Sequence, residues 1–465
     1  MKRTEPELNL SDAELPELHA DPLLYPRDPL RTPKGMGDLL PPEADARRRL
    51  TRAVLRAFQL WGYDLIVTPL FEHAEVVERG IDALDPRDLL RFVEPESGEV
   101  AVLRPDITPQ VARVIATRMA RHPAPWRLCY EGRVIRRRRG RARSHQQITQ
   151  AGFECVGLAG PEADVEIILL AYGACKAAGL HDVRIDLSHV TIAQSLVDQL
   201  PPQLHVPVAG MLARKDTASL TRLVKEAHMP SEFGERLCAL VEHYGELEVL
   251  KSAAKSLRWP AATTALRNLR EIVDQLEAAG LGARLGIDLS DARGSSYYTG
   301  MSFSLLAEGP GEPIGAGGRY DRLLGRYGMD QPATGFAFDL ENLQWALRHA
   351  GHTLHSEPTD LRIVTTGKAQ LAAWISGLRA KEVVVSVLPE ATERAACLAF
   401  ARAWGYDAVL LAGSTRERTP LRRSDGLDRA LFVRVADGSE RTVNNADIAG
   451  IGALRSWARN VNTKD

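Results

Sequence analysis

Apolar positions recur along the chain with two periods, and the switches between them lay out the elements. From Ala44 onward, Leu50, Val54, Leu55, Phe58 and Trp61 fall at helical spacing, and Gly62 then ends the helix ahead of the strand-like run YDLIV and Pro69. Proline within sheets is confined to edges, ends and bulges. Thr68-Pro69 therefore reads either as a plain strand end or as a place where two subunits meet. The strand VAVLRPD follows, and then a helix that Thr108 is expected to cap, with Pro109 in its first turn and Val111, Val114, Ile115 and Met119 on its apolar face. WRLCYEG, RVIRR and ITQAGFECVG have strand composition with no room for helices between them, which predicts an antiparallel sheet and an α+β core.

From about Pro201 to Leu285 the pattern is helical only, which reads as a helical insertion over 201–285. Strand signals return in GIDLSDARGSSYYTGMSFSLLA, and a glycine-rich turn, GAGGRYDRLL, leads to a closing helix, DLENLQWALRHAG. Its glycines lack the strand and helix context of a dinucleotide site and are read as positions of tight packing. After a polar linker over 352–359, strands LRIVTT, EVVVSVL and DAVLLAG alternate with two helices, the second from Glu393 to Trp404, as a small α/β domain. The expected organisation is a polar arm over 1–31, a core over 32–351 and a C-terminal domain over 360–465.

Composition narrows the function classes. With 465 residues, 59 basic and 60 acidic side chains and a net charge of −1, the chain reads as a globular protein of two or three domains with no bulk attraction to nucleic acid or an anionic membrane. No apolar run approaches the roughly 20 residues that span a bilayer, and the start MKRTEPELNL lacks the apolar segment of a signal peptide, so a cytoplasmic protein is expected. Cys129, Cys155, Cys175, Cys238 and Cys397 are odd in number and show no CxxC spacing, as reduced core residues would. His145 and His189 have no partners at metal spacing and no serine sits in a GxSxG elbow, so neither a metal, a cofactor nor a nucleophile is expected.

Several separated motifs carry a family resemblance. GMGDLLP, GYDLIVTPLFE, LRPDITPQVAR, the stretch from Arg127 to Gly157, ARGSSYYTGMSF, GAGGRYDRLLGRYG and PATGFAFDLENL occur in that order between about Thr32 and Gly351. In these segments the chain resembles the histidyl-tRNA synthetase-like proteins of class II, and more closely the regulatory-subunit family of ATP phosphoribosyltransferase. The C-terminal domain resembles a synthetase anticodon-binding domain in its α/β pattern alone. The resemblance implies a class II synthetase-like antiparallel sheet with flanking helices, and it makes GYDLIVTPLFE motif 1, the stretch from Arg127 to Gly157 the motif 2 region and PATGFAFDLENL motif 3.

It also implies a histidine pocket. Asp106 stands at the position of a glutamate that meets the substrate ammonium, one methylene shorter, and Thr108 follows at the matching offset. Gln150 and Glu154, on one face of one strand, match imidazole and ammonium contacts. Arg136 occupies the motif 2 arginine position, where a guanidinium can grip a carboxylate or phosphate. Arg293, Gly294, Tyr297 and Tyr298 match the histidine-recognition loop, although Ser295-Ser296 replaces its usual Leu-Asp. Each of these side chains also has a structural explanation, since a glutamine, glutamate or tyrosine in a sheet is commonly a hydrogen-bonded structural group.

The ATP side departs from the synthetase pattern. Arg138, which can only donate, replaces a glutamate that would accept from the adenine amino group. In motif 3, Asp339-Leu340-Glu341-Asn342 stands where Gly-Leu-Glu-Arg is expected, so a phosphate-clamping cation gives way to Asn342 and a carboxylate arrives at Asp339. Adenylate formation is therefore expected to be disabled.

Arg133, Arg136, Arg137, Arg138, Arg139, Arg141 and Arg143 make the motif 2 loop densely basic, which suits a solvated loop, docking onto an acidic partner, or an RNA contact; the lack of interleaved aromatics disfavours RNA.

The expectation is a noncatalytic regulatory subunit that assembles with a short-form catalytic ATP phosphoribosyltransferase, with L-histidine as effector of the first step of histidine biosynthesis. Self-association through motif 1 belongs to that reading, magnesium would belong to the catalytic partner, and tRNA is not expected. A working histidyl-tRNA synthetase and a stand-alone histidine- or RNA-binding module are the alternatives.

Overall fold

The computed structural model describes residues 32–41, 43–81, 89–136, 146–292, 297–352, 361–412, 429–444 and 451–459. The expected N-terminal arm, the arginine-rich loop from Arg137 to Arg143 with Arg138, His145, the loop residues Arg293 to Ser296 and most of the 352–359 linker lie outside them. The chain divides into two compact units, whose described parts fall within Leu30–His355 and Ser356–Asp465.

The larger unit begins with α1 (Glu43–Leu60), β1 (Asp64–Leu65), β2 (Phe71–His73), α2 (Ala74–Gly80), β3 (Arg91–Val93), β4 (Val100–Leu103) and α3 (Thr108–Val114). It continues through β5 (Trp126–Ile135), β6 (Gln147–Val156), α4 (Pro161–Ala177), β7 (Arg184–His189) and α5 (Val190–Val197). Helices α6 (Pro202–Ala213), α7 (Thr217–Glu226), α8 (Ser231–Glu242), α9 (Val249–Ser256) and α10 (Pro260–Ala278) follow, interrupted by a two-residue strand, β8 (Tyr244–Gly245). Strands β9 (Leu285–Asp288), β10 (Met301–Leu306), β11 (Gly315–Arg319) and β12 (Ala333–Asp339) and helix α11 (Leu340–His349) complete it.

Nine strands form one sheet in the order β1-β5-β6-β12-β11-β10-β7-β9-β8. The ladders from β5 through β7 are antiparallel, as the uninterrupted strand run predicts, while β1 pairs with β5 and β9 with β7 in parallel. Strands β2, β4 and β3 form a separate small sheet.

Alternation gives the large sheet two chemically distinct faces. On one face Phe153, Phe336, Phe338, Leu187 and Ile185 join the main apolar core with Phe58 of α1, Ile167 and Ile168 of α4 and Leu269 of α10. The Phe58 ring lies 4.7 Å from Phe153 and stacks on Phe338. The opposite face carries Tyr130, Gln150, Gly152 and Glu154. α3 and the residues beside it cover that face in turn, with Ile107, Val111 and Ile115 packed against Leu128, Tyr130 and Ile148, so the polar positions lie buried between sheet and helix.

Four local expectations are corrected. The strand after α1 keeps only Asp64–Leu65, and Pro69 lies beyond it, in a segment held by side chains: Arg104 and Gln110 both donate to the Pro69 carbonyl, at 3.1 and 3.0 Å. Thr108 is the first residue of α3 rather than its cap, because its hydroxyl is committed to Glu154. The glycine-rich segment expected to be a turn is largely the central strand β11. There Gly317 and Gly318 allow close strand approach: a Cβ at Gly318 would stand 2.5 Å from the Met301 carbonyl oxygen. WRLCYEG and RVIRR are one continuous strand, β5, not two.

In the second unit, β13 (Arg362–Thr366), α12 (Ala372–Ala380), β14 (Val384–Leu388), α13 (Arg394–Ala403) and β15 (Ala408–Ala412) follow the expected alternation. Strands β16 (Arg429–Arg434) and β17 (Glu440–Asn444) and helix α14 (Ile451–Arg459) extend it, with strand order β14-β13-β15-β16-β17. Trp374, Phe432, Ile363 and Leu410 centre its own core. All five cysteines are free thiols; four are buried and Cys238 is half-buried.

Candidate functional site

The face of the sheet that α3 covers gathers most of the expected site residues. Gln150 and Glu154 lie on one face of β6 and are both buried. Between them Gly152 leaves space that Tyr130, its register partner on β5, fills: a Cβ there would meet the Tyr130 hydroxyl at 2.6 Å. Across β12, Gly335 is the register partner of Glu154, and any Cβ on it would collide with the Glu154 carboxylate. Glycines thus set the room in which these polar groups stand.

Glu154 is 2% exposed and receives three hydroxyls. Thr108 donates to its Oε1 at 2.6 Å, Tyr130 to the same oxygen at 2.9 Å, and Tyr320 to Oε2. Burial pushes its carboxyl up to about 8, against the pull of those three donors, and the nearby Asp106 charge raises it further. Near neutral pH the group can be charged or neutral with little cost either way. It can therefore accept a hydrogen bond from a ligand as a carboxylate or donate one as an acid.

Asp106 sits just ahead of α3. Its Oδ1 accepts from the Ile107 backbone at 2.8 Å and its Oδ2 from the Tyr297 hydroxyl at 3.1 Å. Arg136 at the end of β5 places Nη2 3.5 Å from Asp106 Oδ2 and donates through Nε to the Pro105 carbonyl at 2.6 Å. With the Gln150 amide assigned from this network, its oxygen accepts from Arg136 at 2.7 Å and its nitrogen donates to Asp106 at 3.3 Å. Tyr297 stands edge-on to both Tyr298 and Tyr320.

Asp106, Thr108, Arg136, Gln150, Glu154 and Tyr297 therefore belong to one cluster, with Tyr298 beside it; Arg293 is outside the described residues. Sequence reasoning missed Tyr130 and Tyr320. Strand alternation opposite Gly152 was a usable signal for Tyr130, and the position after Arg319 in the glycine-rich segment gave none. It also missed Arg104, which precedes the site carboxylate Asp106 by two residues.

The two altered motif 3 residues open α11. Asp339, register partner of Gln150, is the N-cap and accepts from the Asn342 backbone at 3.0 Å. Asn342 is buried and donates from its side chain to the Pro313 carbonyl at 2.9 Å. Among the described residues no group of three His, Cys, Asp or Glu side chains converges as a metal site would require, and no helix is long and apolar enough to cross a membrane.

Comparison with known proteins shows the family. A histidyl-tRNA synthetase family model matches residues 35–343. An ATP phosphoribosyltransferase regulatory subunit of Syntrophotalea carbinolica is 34% identical over 423 residues, 90% of this chain and 96% of that protein. The chain belongs to the ATP phosphoribosyltransferase regulatory subunit family. A second member, from Moorella thermoacetica, is 39% identical over 317 residues, 68% of this chain and 81% of its own length. Among solved structures, an ATP phosphoribosyltransferase regulatory subunit/histidyl-tRNA synthetase from Bacillus halodurans superposes with a TM-score of 0.70 at 26% identity, covering 84% of this chain and 98% of that one. The histidyl-tRNA synthetase of Nostoc sp. PCC 7120, at 20% identity and a TM-score of 0.72, covers 92% of this chain and 99% of its own and shares the fold. The chain thus carries a synthetase-like sheet, and the cluster described above lies between that sheet and α3.

Proposed function

We propose that the chain is the noncatalytic regulatory subunit of an ATP phosphoribosyltransferase, binding a short catalytic subunit and sensing free L-histidine in the cluster around Glu154. The observation that carries this reading is the contrast at one site. The residues expected on the histidine side lie near one another: the Gln150 amide reaches Asp106 and Arg136, and Thr108, two residues after Asp106, donates to Glu154. On the ATP side, the position of a phosphate-clamping arginine is Asn342, an amide tied to Pro313. A pocket that holds the amino acid and lacks the cation for triphosphate chemistry can sense but not activate.

Asp106 and Glu154 supply acceptors for an ammonium or imidazole group, and Arg136 a donor for a carboxylate. Histidine that favours one state of the assembly shifts its activity by that difference in affinity, and the coupling is reciprocal. Self-association through residues 60–71 accompanies this role. It is supported by the exposure of Leu60, Trp61, Leu65, Val67, Leu70 and Phe71 beside β1, the edge strand of the large sheet.

The test mixes the purified chain with the short catalytic subunit of the same organism and measures phosphoribosyl-ATP formation. Activation that L-histidine suppresses is the expected result. Absence of activation, with histidine-dependent exchange of pyrophosphate into ATP by the chain alone, would return it to the synthetases.

A further inference from the structure

Arg104 is 5% exposed, yet no carboxylate among the described residues comes within ion-pair distance of it. Its acceptors are neutral. Nε donates to the Arg133 carbonyl at 2.8 Å, and Nη1 to the Thr68 carbonyl at 3.0 Å, the Thr68 hydroxyl at 2.8 Å, the Pro69 carbonyl at 3.1 Å and the Gln110 amide oxygen at 3.3 Å. Burial works against its charge, and only the more distant field of Glu131 and Tyr130 supports it. A desolvated guanidinium satisfied by dipoles alone is costly, and a matching anion would relieve that cost.

The remaining nitrogen has a definite direction. No acceptor among the described residues meets Nη2, which lies directly over Gly132, where any Cβ would collide with it. Gly132 is the register partner of Gln150. Gln150 in turn reaches Asp106 and Arg136. Nη2 therefore stands on the same face of the sheet as Gln150, beside the cluster and under α3, with both of its hydrogens uncommitted, while the rest of the side chain is fixed by two backbone segments and a glutamine. A donor so held needs no ordering when a ligand arrives.

We propose that Arg104 Nη2, above the gap left by Gly132, is an anchor for the carboxylate of the amino acid bound in this pocket. The assignment rests on the histidine reading and adds a second cation to Arg136, which in the absence of ligand is already engaged by Asp106 and Gln150. Arg136 must be drawn from those partners to meet a carboxylate; Arg104 need not move. The division of labour places the ammonium toward Asp106, the ring toward Glu154 and the carboxylate toward β5.

Calorimetric titration of the full chain with L-histidine and with L-histidinamide, which lacks the anion, tests this. The wild-type protein is expected to prefer histidine, and Arg104→Gln to cut that preference about tenfold, the scale of one charge-assisted hydrogen bond, while leaving histidinamide affinity nearly unchanged. Gly132→Ala, which displaces the guanidinium without removing it, should give the same selective loss and serves where Arg104→Gln does not fold. Thr68→Val, which removes one acceptor and keeps the cation, should leave the preference intact. Equal weakening of both ligands in the Arg104 and Gly132 variants, or an unchanged preference, overturns the assignment. A wild-type chain that binds neither ligand fails the histidine reading itself, a result separable from loss of preference.

Discussion

Glu154 and His189 are buried ionisable side chains whose titrations pull stability in opposite directions. The Glu154 carboxyl lies at about 8 in the folded protein against 4.5 for an ordinary glutamate. Between those values the folded chain holds a proton that the unfolded chain has released, so the contribution is most favourable below pH 4.5 and is lost as pH rises to about 8. His189 is pushed down to about 4 from 6.5 by burial and by the Arg319 charge. Its contribution is present above pH 6.5 and is lost as pH falls toward 4. Glu154→Gln keeps the shape and, through its amide oxygen, the Thr108 and Tyr130 donors, while Tyr320 turns to accept from the amide nitrogen and the ionisation is removed. The variant's melting temperature should therefore gain on wild type steadily from pH 5 to pH 8 in calorimetry at fixed ionic strength, and a flat difference would show that Glu154 keeps an ordinary titration when buried.

At the scale of the element, α11 shows how one residue can serve a helix and mark a site. Asp339 caps the helix from the end of β12, and its carboxylate near the first turn also meets the positive end of the helix dipole. Asp339→Ala should cost about 1 kcal/mol in chemical denaturation, and Asp339→Asn, which can still cap, much less. Sequence reasoning saw the charge reversal there but not the capping, because the motif 3 comparison weighs position 339 only against phosphate. In the large sheet β1, β5, β6, β9 and β10 were legible from β-branched and aromatic runs, whereas β7, β8 and β12 were not read as strands. β11 was not, since Gly315, Gly317 and Gly318 read as a turn until the crowding against Phe336, Gly335 and Met301 is seen. The short strands β2 and β3 carry too few residues for alternation to register, and β16 and β17 lie past the last apolar run that was read. The site was more legible than its support: Gln150 and Glu154 follow from strand period, whereas the hydroxyls that hold Glu154 arrive from α3, β5 and the end of β11 and have no local signature.

At the scale of the whole molecule, the two units have separate apolar cores, one around Phe58 and Phe153 and one around Trp374 and Phe432. The edge beside β1 is where assembly should be sought. Val67 is 83% exposed and its neighbours Leu65 and Leu70 are each half exposed, an arrangement that a lone chain gains nothing from presenting to water. Val67→Asp should shift the sedimenting mass of the free protein toward that of a single 51.1 kDa chain, with the cluster around Glu154 unchanged. An unaltered sedimentation profile would place self-association elsewhere. The thiols make such experiments easier to read. Cys129 and Cys155 are pushed up to about 11 by burial and Cys175 higher still, and Cys397 is buried as well. Maleimide chemistry at neutral pH needs an accessible thiolate, which leaves Cys238 as the one native competitor. A single engineered cysteine in a Cys238→Ser background would therefore accept a fluorophore cleanly, turning the chain into a spectroscopic reporter of its own assembly.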